Sequence, residues 1–257
     1  MKQKVLLALL FMILFLTGCQ IVIQNDVPQV PTGLTSITGD YKVTLYWNPV
    51  SAPNFMQFNV YRSYDPTGPY TIIGSTVSAF YVDRDVCNGV TYYYAVTSVN
   101  YDGNESELSR EDVFDTPRPE GYGAVLWDRW EYPNDAGFDL ASECIVPYYS
   151  SDANIYLESD TCSGIYYLVA GAYNNDIQDF GYINSLDDID YAPEEGWSNT
   201  GKVEVIEGHG YVIWTNDNHF AKVRIESICN DHVILSWAYQ IDEGNRELSL
   251  KTSNFGR

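Results

Sequence analysis

The feature that most restricts the fold is a period-two alternation of apolar and polar residues in short runs, each closed by a turn signal. Val43, Leu45 and Trp47 alternate with Thr44 and Tyr46, and Phe58, Val60 and Arg62 alternate with Asn59 and Tyr61. Successive side chains of a strand point to opposite faces, so this spacing describes half-buried strands. Turns fall at Pro49–Pro53, at Asp65-Pro66-Thr67-Gly68-Pro69 and at Asn88-Gly89, ahead of a longer run from Tyr92 to Val99. Further on, Lys202 to Ile206, Tyr211 to Thr215, Ala221-Val223-Ile225 and Val233-Leu235-Trp237-Tyr239 repeat the pattern. With Glu247 to Lys251 they predict an antiparallel meander of four or five strands. Ala124–Trp130, Ile155–Leu157 and Ile165–Ala170 add strands, and Leu186 to Tyr191 reads as one short helix. The fold class is therefore all-β. The 22 Tyr and 6 Trp suit strands better than a helical bundle.

Thr116-Pro117-Arg118-Pro119-Glu120-Gly121 divides the chain in the manner of a domain boundary. The expected organisation is one β-sandwich over residues 31–118 and a second antiparallel β-rich domain over 119–257. Charge narrows the partners. With 35 acidic and 14 basic residues the net charge is -21, which disfavours nucleic acid.

The N-terminus reads as a targeting segment. Lys2 and Lys4 precede Val5 to Leu16, an apolar run of twelve, shorter than the ~20 residues a membrane-spanning helix needs. The following Leu16-Thr17-Gly18-Cys19 resembles the lipobox of bacterial lipoproteins. That resemblance implies a signal peptide over 1–18, lipid attachment at Cys19 and a tether over 19–30. Gln20 after the cysteine implies the outer membrane or cell surface. Removal of residues 1–18 takes away Lys2 and Lys4 and no acid, leaving 12 basic against 35 acidic residues, a net of -23.

Pro31-x-x-Leu34, Leu45-x-Trp47, Val60-Tyr61-Arg62-Ser63, Gly68-x-Tyr70, Tyr81-x-Asp83, Gly89-x-x-Tyr92-x-Tyr94-x-Val96 and Gly103-x-x-Ser106 occur in the order seen in fibronectin type III modules. Residues 31–118 resemble that family. The resemblance implies that Trp47 is a core tryptophan and that Tyr92 is a corner tyrosine bonded to nearby backbone. It also implies a spacer role. A second resemblance lies in Trp214-Thr215-x-Asp217-x-x-Phe220-Ala221-Lys222-Val223-Arg224-Ile225 with Ala238-Tyr239-Gln240, which is similar to HmuY-like lipoproteins, some of which capture haem. Haem needs His or Met facing one cavity. His209, His219 and His232 fall in turns, and the second domain has no Met.

The chain carries no GxSxG, HExxH, CxxC or phosphate-cradling glycine loop, and the expectation is that it is not an enzyme. Asp128 with Glu131, or Asp187 with Asp190, are the carboxylate pairs a carbohydrate-active enzyme would use. Asn174-Asn175-Asp176 and Asn216-Asp217-Asn218 offer hard oxygen ligands for Ca²⁺, without the spacing of a defined loop, so no cofactor is expected. Aromatics are the clearer surplus. Trp127, Trp130, Tyr149, Tyr167 and Trp197 are the candidate ligand-binding residues, within a wider set including Tyr148, Tyr166, Tyr211 and Trp214. The expected role is a lipid-anchored envelope protein that presents its second domain to a glycan or a surface protein. A carbohydrate-active enzyme or a haem-capturing lipoprotein is the alternative. Export permits disulfides. Cys144 and Cys162, the nearest pair, are the expected bridge, with Cys87 and Cys229 free.

Overall fold

The computed structural model describes residues 27–170 and 174–249. The expected signal peptide over 1–18, Cys19 and most of the expected tether over 19–30 lie outside the described residues. Within them the chain forms two β-sandwiches.

The first is built from β1 (Thr35–Gly39), β2 (Lys42–Tyr46), β3 (Phe55–Ser63), β4 (Thr71–Thr76), β5 (Phe80–Asp83), β6 (Tyr92–Asn100) and β7 (Val113–Asp115). A three-stranded sheet in the order β1-β2-β5 packs on a four-stranded sheet in the order β4-β3-β6-β7. The inward members of the alternating runs, Val43, Leu45, Phe58 and Val60, form its core with Trp47, Tyr94 and Val96. Trp47 lies edge-on to Phe58 with ring centroids 5.3 Å apart. The Tyr92 hydroxyl accepts the Cys87 N–H at 3.0 Å, so the corner tyrosine does bond to nearby backbone. Polar burial is compensated as well: Asp83 takes the Arg62 guanidinium at 2.8 Å and the Tyr94 hydroxyl at 3.1 Å.

The second sandwich contains β8 (Glu120–Trp127), β9 (Gly137–Asp139), β10 (Cys144–Val146), β11 (Ile155–Ser159), β12 (Tyr166–Ala170), β13 (Asp176–Tyr182), β14 (Lys202–Glu204), β15 (His209–Trp214), β16 (Phe220–Ile228) and β17 (His232–Gln240). One sheet runs β10-β9-β11-β12-β14 and the other β13-β15-β16-β17-β8. Leu126, Phe138, Ile155, Leu157, Leu168, Ile213, Val223, Ile225 and Leu235 fill the space between them. A smaller apolar cluster, including Ile183, Ile189, Val212, Phe220 and Leu248, lies on the outer face of the second sheet. The segment between β13 and β14 crosses that face.

Three expectations need correction. The meander holds for β15, β16 and β17, but β14 pairs with β12 in the opposite sheet, because the chain changes sheets through the turn before His209, where Gly208 has φ +81°. Of the expected strand Glu247 to Lys251, residues 250 and 251 lie outside the described residues, and Glu247 forms an isolated bridge to Tyr191. The expected helix is one 3-10 turn, Leu186–Asp188, since Ile189 is already extended. Its Asp188 carboxylate turns back to accept the Asn184 N–H. The Cys144–Cys162 bridge is absent: Cys87, Cys144, Cys162 and Cys229 are all free thiols. Cys144 lies opposite Asp139, near the start of the neighbouring β11, whereas Cys162 lies in the turn beyond its end, so a strand length separates them.

The domains meet tightly. A Cβ on Gly89 would lie 2.9 Å from Ile241, and Lys42 pairs with Glu120 at 3.8 Å. Arg118, written in the sequence as part of a linker, is wholly buried here with Asp115, Lys222 and Glu247.

Candidate functional site: an aromatic and amide groove at the β15–β16 turn

β15 ends at Trp214 and β16 begins at Phe220, and the two are cross-strand partners. Side chains opposite each other on one face of an antiparallel pair come into contact, and here the rings stack at 5.6 Å with an 18° interplanar angle. Trp197, from the crossing segment, approaches Trp214 at 5.9 Å. The turn between them is closed by its own side chains. Thr215 Oγ1 donates to Asp217 and accepts the His219 N–H at 3.0 Å, and Asn218 adopts φ +66°, which Asn tolerates better than most residues. Asn218 Oδ1 accepts the Trp214 indole N–H at 3.2 Å, fixing the ring's edge. Trp214 remains 36% exposed.

The two Asn/Asp triplets meet at this turn. Asn175 is buried. Its Nδ2 donates to Asn154 O at 3.0 Å and its Oδ1 accepts the Asn216 N–H at 2.9 Å. That amide ties the start of β13, the loop before β11 and the β15–β16 turn together. On the far side, Arg246 donates to Glu194 at 2.7 Å and to Ala192 O at 2.9 Å, and Gly244 N–H donates to Asn218 O at 2.7 Å. The result is three adjoining cavities. The central one, 370 Å³, is lined by Asn174, Asp176, Trp214, Asn216 and Asn218 among others. Trp214 and Asn218 also line a 310 Å³ cavity reaching Arg246, and Asn216 also lines a 230 Å³ cavity reaching Asp139 and Tyr239. Burial would raise the Asp217 carboxyl, but hydrogen bonds from Thr215 and His219 outweigh it and hold the group below its ordinary value. Burial beside Asp217 pushes Tyr239 up to about 12.

None of the five sequence-derived candidates lines these cavities; Trp197 comes nearest, packed beside Trp214 and against the apolar cluster beneath it. Trp127 packs between Tyr132 and His232, each ring centroid 4.6 Å away. Trp130 is exposed, but the Arg129 guanidinium covers its face at 4.1 Å and its N–H donates to Ser159 O. The Tyr149 hydroxyl donates to Asn134 at 2.8 Å, and Lys202 sits 4.6 Å over the Tyr167 ring. Trp130 and Tyr167 thus carry cations from the protein itself. One member of each nominated carboxylate pair is engaged by neighbouring side chains or backbone. Asp128 accepts the Ser159 N–H and hydroxyl, and Asp187 accepts the Ser249 hydroxyl. His209, His219 and His232 pair with three different carboxylates, Asp179, Asp217 and Asp231. Among the described residues no group of three or more His, Cys, Asp or Glu is placed to hold a metal ion.

The topology defines a two-domain, all-β protein whose first domain is fibronectin type III-like. No family model matches the chain. An amylopullulanase of Thermoanaerobacter thermohydrosulfuricus is 45% identical over 85 residues, 33% of this chain and 6% of that protein. One of Thermoanaerobacterium saccharolyticum is 36% identical over 96 residues, 37% of this chain and 7% of that protein. The chain thus spans a small fraction of these relatives. Among solved structures, an Fn3-like protein from Clostridium thermocellum is 33% identical, covering 37% of this chain and 100% of that one at a TM-score of 0.31. A DUF4466 family protein from Parabacteroides merdae is 11% identical, covering 84% of this chain and 96% of that one at a TM-score of 0.46.

Proposed function

We propose that this protein is a lipid-anchored component of a bacterial cell envelope that binds a glycan in the groove of its second sandwich. The fibronectin type III-like domain is the spacer between that groove and the lipid at Cys19. The observation that carries the reading is Trp214, a ring held rigidly by Phe220 and Asn218 and left open between amide-lined cavities. A flat aromatic surface takes the apolar C–H face of a sugar ring, while Asn side chains offer both a donor and an acceptor to its hydroxyls. The cavities fall at the lower end of the ~300–1,000 Å³ range of small-ligand sites or just below it. Similarity to segments of amylopullulanases supports a carbohydrate context.

The test is a glycan array with the chain lacking only residues 1–19, followed by calorimetry on any hit. Trp214→Ala is expected to weaken binding at least tenfold, about 1.4 kcal/mol, while Trp130→Ala leaves it unchanged. A blank array, or binding that survives Trp214→Ala and is lost in Trp130→Ala, overturns the assignment.

A further inference from the structure

Resting on the glycan reading above, we infer that the groove selects an amino sugar, a hexosamine unit whose free amine is an ammonium ion, with the sugar ring on Trp214 and the ammonium on Asp176. A bare carboxylate and an aromatic face in one cavity carry this.

Strand register brings the two together. β15 lies between β13 and β16, and Trp214 is the cross-strand partner of Asp176 on one side and of Phe220 on the other. Directly opposed residues of an antiparallel pair share a face of the sheet, with Cβ atoms about 4.5–5.5 Å apart. Phe220 stacks on one face of the indole, which turns the other face to the β13 side, where Asp176 stands. Trp197 meets the indole at a 42° tilt and does not line the central cavity. Asp176, Trp214 and Asn174 do line it, in a space of 370 Å³.

The Asp176 carboxylate is uncompensated. Among the described residues no hydrogen bond or ion pair reaches it, and no basic residue lines the central cavity. The neighbouring acids differ. Asp217 accepts from Thr215, Asp139 from Ala141 N–H and the Ser142 hydroxyl, and Asp152 from Ser150 and Ser151. Arg246, the basic residue of the flanking cavity, is held by Glu194 and Ala192 O. A cation entering the central cavity therefore meets an open carboxylate and no competing positive group, in a protein of net charge -21. A uronate or sulfate would meet only repulsion. An indole face also attracts a cation placed within about 6 Å of its centroid. A small amine would answer the charge and leave most of the cavity empty. A pyranose lying on the indole fills it and carries its amine sideways to Asp176, while the Asn174 amide offers an acceptor for a second ammonium hydrogen.

The test is calorimetry on the same chain with β-1,4-linked trimers of glucosamine, N-acetylglucosamine and glucose, which share one backbone and differ at C2. Glucosamine is expected to bind about tenfold more tightly than the two neutral trimers, the combined scale of one cation–π contact and one partly exposed ion pair. Asp176→Asn, its urea midpoint checked against the wild type, is expected to remove that preference and leave neutral binding as it was. Asp102→Asn removes an equal charge from an exposed turn of the first domain and is expected to keep the preference. Equal losses in the two variants would mean attraction by net charge alone and overturn the inference. So would spermidine or trilysine binding as tightly as the glucosamine trimer through Trp214 and Asp176, since the site would then serve amines without a sugar. Array hits confined to glycans without a free amine overturn the inference and leave the glycan reading standing, whereas a blank array removes both.

Discussion

Asn175 helps to shape the groove from beneath the surface that would meet a ligand. Its amide joins Asn154 O to Asn216 N–H across two loops distant in sequence. Removing one partner of a buried hydrogen bond leaves the other unsatisfied, at a cost of about 1–3 kcal/mol. Asn175→Ala is therefore expected to lower stability by that amount in urea denaturation, and to weaken glycan binding by freeing the 215–219 turn. Unchanged stability with unchanged binding would show that the turn holds its shape without the bridge. Asn175 also marks where sequence reasoning stops. Both Asn/Asp triplets stand out as patterns, but their meeting is a tertiary event that neither contains. Trp214 had a readable signal, an aromatic residue ending a strand immediately before Thr215-Asn216-Asp217-Asn218. A strand tryptophan belongs to the core more often than to a surface, so the sequence alone leaves Trp214 within the aromatic surplus.

Among the elements, the corner of the first domain is the most exact match between pattern and structure. Gly89-x-x-Tyr92 placed the tyrosine, and its hydroxyl accepts the Cys87 N–H. Tyr92→Phe keeps the ring against the core and removes only that acceptor, so a loss of about 1 kcal/mol is expected in urea denaturation. A loss above ~3 kcal/mol would point to a packing role instead. β2 is legible because one face is buried and the other is not, while β16 and β17 keep a readable alternation of apolar and polar residues although the crossing segment buries much of their outer face as well. β9, β10 and β13 are not legible. The first two are three residues long, too short for a period to show, and β13, Asp-Ile-Gln-Asp-Phe-Gly-Tyr, reads as an acidic loop. The cysteine expectation failed because nearness in sequence says nothing of distance across a sheet. Thiol titration of the unfolded protein without reductant should count Cys87, Cys144, Cys162 and Cys229 as reactive. A count short by two would restore the bridge.

At the scale of the whole molecule, the segment between the end of β7 at Asp115 and the start of β8 at Glu120 is a buried and charged joint, a character its Pro-rich sequence does not carry. Arg118 has no hydrogen-bond partner among the described residues for its three guanidinium nitrogens, and Lys222 donates only to Ile189 O. Around them stand Asp115, Glu120, Asp187, Asp190 and Glu247, with Asp242 close to Glu247 and Lys42 paired to Glu120 at 3.8 Å. Burial raises Asp115 to about 6 and Glu247 to about 8, against the opposing pull of Arg118 on both. A carboxyl raised on folding takes up a proton as the joint closes. Its stabilisation is complete below the unfolded value, ~3.9 for Asp and ~4.3 for Glu, and is lost as pH rises through the folded value. Asp115 therefore acts between about pH 4 and 6, and Glu247 between about pH 4 and 8. Burial lowers Lys222, which works in the opposite sense, so that stability returns as pH rises above its folded value toward ~10.4. Carboxyls held low by hydrogen bonds, such as Asp217 and Glu105, lose their contribution only as pH falls below ~4, outside this window. Lys222 titrates alike in both proteins, so the expected outcome is a difference: Glu247→Gln keeps the shape and removes the Glu247 titration, and the wild-type unfolding midpoint should fall relative to that of the variant as pH rises from 6 to 8. Parallel curves for the two proteins would remove Glu247 from the account and leave the joint's charges without a role in holding the domains together.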